Sequence, residues 1–170
     1  MYKKGGFTLV ELIVVVAVIA ILVATLVPNM QNIIVKARNS SRMAGLASLE
    51  TAIMQYFDDN GSYPSTSGSW WGEYSYGDHP HEGASGYVPG LAPSYIRRLP
   101  ADPTAGKYNP AVGAYNNGYL YNSNGANYKL LDHYGPENPG SHYGDEKFKY
   151  YDPTRPTWAW ATYSSGGRDW

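Results

Sequence analysis

The chain has 170 residues, 13 basic against 14 acidic, a formal net charge of −1 and no cysteine. That length suits one domain, or one domain with a long appendage, and in the balanced charge without a like-sign block nothing favours nucleic acid as an obligatory partner. The missing thiols exclude disulfides, thiolate metal sites and a cysteine nucleophile.

The first element is an apolar run. From Phe7 to Val27 only Thr8, Glu11 and Thr25 are polar. As a helix this run spans roughly 31 Å, about the thickness of a bilayer's hydrocarbon core. It is too long for the apolar core of a secretory signal peptide, and Leu26-Val27-Pro28 makes a poor cleavage site. A plain single-span anchor accounts for the length but not for Glu11, because a carboxylate inside a membrane helix carries a cost. The bland account is an acid tolerated near the end of the run. The alternative is a segment that sits first in a membrane and later packs against protein. Charge gives little orientation: Lys3 and Lys4 precede the run, while Lys36, Arg38 and Arg42 follow it.

Lys3-Lys4-Gly5-Gly6 followed by Phe7-Thr8-Leu9-Val10-Glu11 resembles the class III leader and mature start of type IV pilins and of the pseudopilins of type II secretion. The resemblance implies that a prepilin peptidase cuts between Gly6 and Phe7, that the new amino terminus at Phe7 is methylated, and that Glu11 meets the Phe7 amine of a neighbouring subunit. A carboxylate in apolar surroundings needs a counter-charge, and cleavage creates one. Removing two lysines leaves 11 basic and 14 acidic residues, a mature charge of −3.

Pro28 removes a backbone donor and crowds the carbonyl of Ala24, so a helix kink is expected there. Apolar residues then resume at helical spacing in Met30, Ile33, Ile34 and Ala37, and again in Leu46, Leu49, Ile53 and Phe57. Lys36, Arg38, Arg42 and Glu50 are assigned to the polar face, and Asn39, Ser40, Ser41 and Gly45 weaken the middle. Asp58-Asp59-Asn60-Gly61 ends the helix, with Gly61 suited to a left-handed cap. The string from Ile53 to Pro64 also resembles the end of the spine in major pseudopilins.

Residues 62–170 hold eight Val, Ile or Leu against fifteen Tyr and five Trp. Aromatics must therefore supply most of the head's core, with partners for their polar ends. Residues 65–90 show no periodicity and are read either as an excursion packed by Trp70, Trp71 and Tyr87 or as a mobile loop. Tyr95 to Pro103 resembles the family's lead into its sheet, but Thr104-Ala105-Gly106 stands where a Trp-Gly pair is expected. Gly118–Asn122 and Asn127–Leu131 flank an Asn-Gly turn and predict a hairpin. Thr157–Tyr163 predicts a third strand with Trp158 and Trp160 on one face.

Two metal readings arise. Asp78-His79-Pro80-His81-Glu82 offers two imidazoles, though a solvated, proline-stiffened loop is the favoured account. The resemblance implies calcium in a late loop, for which Asp132, Glu137, Asp145, Glu146 and Asp152 provide oxygens, while ordinary surface acids remain the favoured account. No nucleophile elbow, phosphate loop or zinc-protease motif occurs, so a non-enzyme is expected.

The expected fold is α+β and pilin-like, a long amino-terminal helix packed on a small antiparallel sheet. Its parts are a leader (1–6), a transmembrane and assembly helix with an amphipathic second half (7–61) and an aromatic-rich head (62–170). The expected function is a structural subunit of a type IV pilus-like filament. Its partners are copies of itself in a helical homopolymer, the prepilin peptidase, the pilus or secretion assembly machinery, and the cytoplasmic membrane before assembly, with the head outside. The Thr104-Ala105-Gly106 departure, the aromatic excursion and the long tail after Leu131 favour the pilus over the alternative, a major pseudopilin of type II secretion. A second alternative is a tethered glycan- or metal-binding module that does not polymerise.

Overall fold

The computed structural model describes residues 6–108, 115–138 and 140–170, and within its first helix the side chains of 25–29 lie outside the description. Lys3, Lys4 and Gly5 of the leader motif therefore lie outside the described residues. Helix α1 (Leu9–Asn60) runs for 52 residues, ~78 Å at the usual rise. Thr8 caps its start, and Gly61, at φ 68°, closes its end by donating its N–H to the Phe57 carbonyl at 2.8 Å. The backbone stays helical through Pro28; the expected kink falls on residues whose side chains are outside the description.

Every described side chain of α1 from Leu9 to Ile34 is exposed. Among the described residues no helix is long and apolar enough to cross a membrane. Beyond Ile34, Asn39, Arg42, Leu46, Leu49 and Ile53 repeat at three- and four-residue intervals and are all buried, which is the helical stripe that faces a core. The second half of α1 is thus one wall of the head.

Four strands form an antiparallel meander in the order β1-β2-β3-β4: β1 (Trp71–Gly72), β2 (Gly118–Ser123), β3 (Tyr128–His133) and β4 (Ala159–Tyr163). The hairpin pairs Leu120 with Leu131 and Ser123 with Tyr128. Its turn is tied by the Asn124 side chain, which accepts from the N–H groups of Ala126 and Asn127 at 3.0 and 2.8 Å. The expected hairpin is present, its strands running one or two residues farther.

Both faces of this sheet are covered, which is why β2 and β3 are buried at every position. Tyr119, Tyr121, Tyr128, Leu130 and Trp160 face α1 and join Tyr87, Val88, Leu91 and Leu99 in the main core. Leu120, Leu131 and Ala161 face the other way, under Trp70 and Tyr163. Trp158 and Trp160 are therefore not on one face as expected. The strand begins only at Ala159, so the period of two does not extend back to Trp158, which lies in a turn and stacks on Tyr134 at 4.3 Å between centroids. Residues 65–90 form a packed excursion: it supplies β1, and the Tyr87 hydroxyl donates to the Pro100 carbonyl at 2.8 Å.

Candidate functional site

The amino-terminal end holds the motif residues. Phe7 is 79 % exposed, and a Cβ built on Gly6 would meet nothing within 4 Å, so the fold itself does not require glycine there. Glu11 and Thr8 form a reciprocal capping box. The Thr8 N–H donates to Glu11 Oε2 at 2.8 Å, the Thr8 hydroxyl donates to the same oxygen at 2.7 Å, and the Glu11 N–H returns a bond to Thr8 Oγ1 at 3.3 Å. Sequence reasoning missed this local role of Glu11, although Thr8-x-x-Glu11 is the signature of such a box.

Around this end the surface is apolar. Among the described residues, sixteen large hydrophobic side chains between Phe7 and Ile34 are exposed. At ~1.5–3 kcal/mol for fully burying each such side chain, scaled down because each is only 46–79 % exposed, roughly 15–30 kcal/mol would be gained by covering them. That surface cannot be left in water.

The second constellation lies under the head. Arg42, assigned from sequence to the polar face, is fully buried on the core stripe. Its position four residues before Leu46 and seven before Leu49 is the signal that could have found it. The signal is weak because a guanidinium on an apolar stripe needs partners that one helix does not reveal. Those partners come from Asn39 on the same helix and from three later segments. Arg42 Nε donates to Asp102 Oδ2 at 2.5 Å, Nη1 to Asn39 Oδ1 and Glu137 Oε2 at 2.9 Å each, and Nη2 to Thr104 Oγ1 at 2.8 Å. Asp132 Oδ2 lies 3.6 Å from Nε. Arg38 adds a two-pronged contact to Glu137 at 2.6 and 2.7 Å.

The charges settle accordingly. Burial works to lower the Arg42 pKa, but the Asp132 and Asp102 carboxyls more than offset it and the net shift is upward. For Glu137, burial pushes upward while the hydrogen bonds from Arg38 and Arg42 prevail and hold its pKa below the ordinary value. Asp132, with no hydrogen-bond partner on either oxygen among the described residues, is raised well above the usual carboxylate range by burial and then by Asp102. Burial likewise pushes Glu73 up to about 7, although it accepts N–H bonds from Tyr119 at 2.7 Å and Asp102 at 3.0 Å.

The proposed metal-site residues are dispersed among different partners. Asp132 and Glu137 face Arg42, and Asp152 binds Lys129 Nζ at 2.8 Å with Arg155 3.4 Å away. Asp145 and Glu146 are exposed. In the other candidate loop, His79 stacks on Trp71 at 4.2 Å between centroids, whereas His81 Nδ1 lies 3.1 Å from the Leu99 carbonyl and Nε2 3.6 Å from Glu73. Among the described residues no three His, Cys, Asp or Glu side chains are grouped so as to hold a metal.

A long exposed helix with the motif at its tip, its second half packed on a four-stranded antiparallel sheet, defines the pilin-like class. Residues 1–27 match the model of the prokaryotic N-terminal methylation motif. The chain is 36 % identical over 127 residues to the type II secretion system core protein G of Escherichia coli K12, covering 66 % of this chain and 78 % of that one. It is 34 % identical over 117 residues to the protein of the same description from Pectobacterium carotovorum, covering 63 % of this chain and 66 % of that one. A shorter match, 38 % over 61 residues, covers 36 % of this chain and 28 % of the type IV major pilin protein PilA of Myxococcus xanthus. No solved structure matches the chain. The chain belongs to the type IV pilin and type II secretion pseudopilin family.

Proposed function

We infer that this chain is a structural, non-catalytic subunit of a pilin-like filament, made as a membrane-anchored precursor with its head outside the cytoplasmic membrane. Prepilin peptidase removes residues 1–6 and methylates Phe7, and the freed helices pack on one another in a head-to-tail homopolymer whose contacts do not close. The observation that carries this reading is the row of described apolar side chains, Phe7 to Val23 and Met30 to Ile34, that stays exposed on the single chain. Glu11 completes the assembly step. Its carboxylate already sits at the helix start, held by Thr8, one turn from the amine that cleavage creates.

Two filament types fit the same subunit. The relatives matched over most of their length are described as type II secretion core protein G, which favours a short secretion fibre; the match to a type IV major pilin is over a shorter stretch. Deleting the gene and assaying both secreted proteins and sheared surface filaments separates the two.

Glu11→Ala tests the shared core of both. Leader cleavage should proceed and the head should stay folded, because Glu11 makes no contact with it, while filament yield falls at least tenfold. Filaments at normal yield from that variant would sink the charge-pairing role. Gly6 replaced by a bulky residue should leave the uncut precursor in the membrane, read as the longer mass. Because the fold leaves space at Gly6, a failure to cut would report on the peptidase and not on misfolding.

A further inference from the structure

The calcium that the family resemblance implies needs several oxygens converging on one point, and in this chain those oxygens already surround side-chain cations. Lys129 projects from β3 with its side chain fully buried. Its Nζ donates to Asp152 Oδ1, Thr154 Oγ1 and the Arg168 carbonyl at 2.8 Å each, and lies 3.1 Å from the Trp170 carbonyl oxygen. Four oxygens from one late segment thus enclose one ammonium. Asp152 Oδ1 also accepts the Thr154 N–H at 3.0 Å and its hydroxyl at 2.7 Å, so the cage is fixed by its own hydrogen bonds. Arg42 does the same on the opposite face, gathering Asp102, Thr104 and Glu137 onto α1.

We propose that Lys129 and Arg42 serve as built-in cations that tie the late segments of the head to the sheet and to α1, so that the head folds without calcium. The local geometry agrees. Arg42 and Arg38 engage Asp102 and Glu137 through direct hydrogen bonds, and Asp132 Oδ2 also lies 3.6 Å from Arg42 Nε, so these carboxyl oxygens already face side-chain cations and do not converge on an open point that would draw a divalent ion. Asp145 and Glu146, the two remaining acids of the expected set, are exposed, and an acidic pair on a surface lacks the enclosed oxygen shell that calcium takes. This inference goes beyond the filament reading and does not depend on it, since head stability and filament yield are measured separately.

The test uses the full-length protein in detergent, with melting followed by near-ultraviolet circular dichroism, to which the buried Tyr and Trp contribute. Curves recorded with excess EDTA and with excess calcium chloride should superimpose, and calorimetric titration with calcium should show no stoichiometric uptake. An upward shift of more than ~2 °C with calcium, the size expected of a ligand present well above its dissociation constant, would overturn the proposal, as would one calcium bound per chain. Lys129→Met keeps most of the side-chain volume and removes the ammonium. It should melt several degrees lower in EDTA, or fail to fold, and equal stability of this variant and the unaltered protein would overturn the role given to the ammonium.

Discussion

At the scale of single residues, the buried acids under the head set how its stability varies with pH. An unfolded chain releases the Glu73 proton near 4.5, whereas burial keeps it in the folded head until about 7. Between those values the folded state binds more protons than the unfolded one, so stability falls as pH rises, and the loss is complete above about 7. Asp132, also raised, adds a loss of the same sign. Glu137, lowered by Arg38 and Arg42, acts oppositely and loses its contribution as pH falls below its ordinary range. The groups facing Glu73 are Asp102, His81 and Tyr119. The head should therefore melt highest near pH ~4–5 and lower by pH ~7, with Glu73 responsible for at most ~3 kcal/mol of the fall. Glu73→Gln keeps a hydrogen-bond acceptor for the two N–H groups and should flatten much of that slope. A melting temperature that climbs between pH ~5 and ~7 in the unaltered protein would contradict this assignment.

At the scale of elements, the contact between α1 and β2 depends on Gly45. From sequence this glycine is a weak point in the helix, but the helix is unbroken there and the position is buried. A Cβ at Gly45 would lie 2.3 Å from the Tyr119 hydroxyl and 3.0 Å from the ring carbon bearing it, and that hydroxyl donates to the Arg42 carbonyl at 3.1 Å. Glycine is what lets a tyrosine from the sheet reach the helix backbone. Gly45→Ala gains ~1 kcal/mol of helix propensity yet must push the sheet outward, an overpacking cost of ~1–3 kcal/mol. The variant should be less stable, and adding Tyr119→Phe should recover part of the loss, because the nearest clashing atom is gone while the ring carbon remains close. A double-mutant cycle by thermal melting reads the coupling; no coupling would mean that helix and sheet are free to separate.

The same contact shows which features the sequence displays. Periodicity exposed the long helix, its stop at Gly61 and the Asn-Gly hairpin, because each is a local pattern: an apolar run, a left-handed cap, a two-residue turn. Arg42 and Trp158 were misplaced because their surroundings are built from distant segments. Arg42 is buried by residues 102, 104 and 137, and Trp158 is turned out of the strand by a bend in which the Arg155 carbonyl accepts its N–H at 3.3 Å. The motif that includes Gly6, Phe7 and Glu11 was recognisable because its order along the chain is itself the signal, and residues 1–27 match the methylation-motif model, while the Thr8 cap needed only a spacing of three. The acids considered for calcium were grouped through the family resemblance, and the fold disperses them: Asp132 and Glu137 face Arg42, Asp152 binds Lys129, and Asp145 and Glu146 are exposed.

At the scale of the whole molecule, the chain is divided by what covers its apolar surface. Packing in the head begins at Asn39 and involves α1 from there to Tyr56, the excursion and the sheet, whereas the described side chains from Leu9 to Ile34 lie outside that core. In a bilayer the apolar half is already out of water, so moving it into a filament would gain nothing from the hydrophobic effect; on the proposed reading that move is driven by close packing and by the pairing of Glu11 with an amine. In water without lipid, the same half forces association. Removing residues 1–29 should then uncouple the two behaviours: a chain beginning at Met30 retains every residue of the described core, loses thirteen of the sixteen large hydrophobics described as exposed between Phe7 and Ile34, and should be a soluble monomer that melts within ~2 °C of the full-length head. Size-exclusion chromatography with light scattering checks the first part, and circular dichroism the second. Association of the shortened chain would show that head surfaces polymerise without the helix, and unfolding would show that the apolar half contributes to the core.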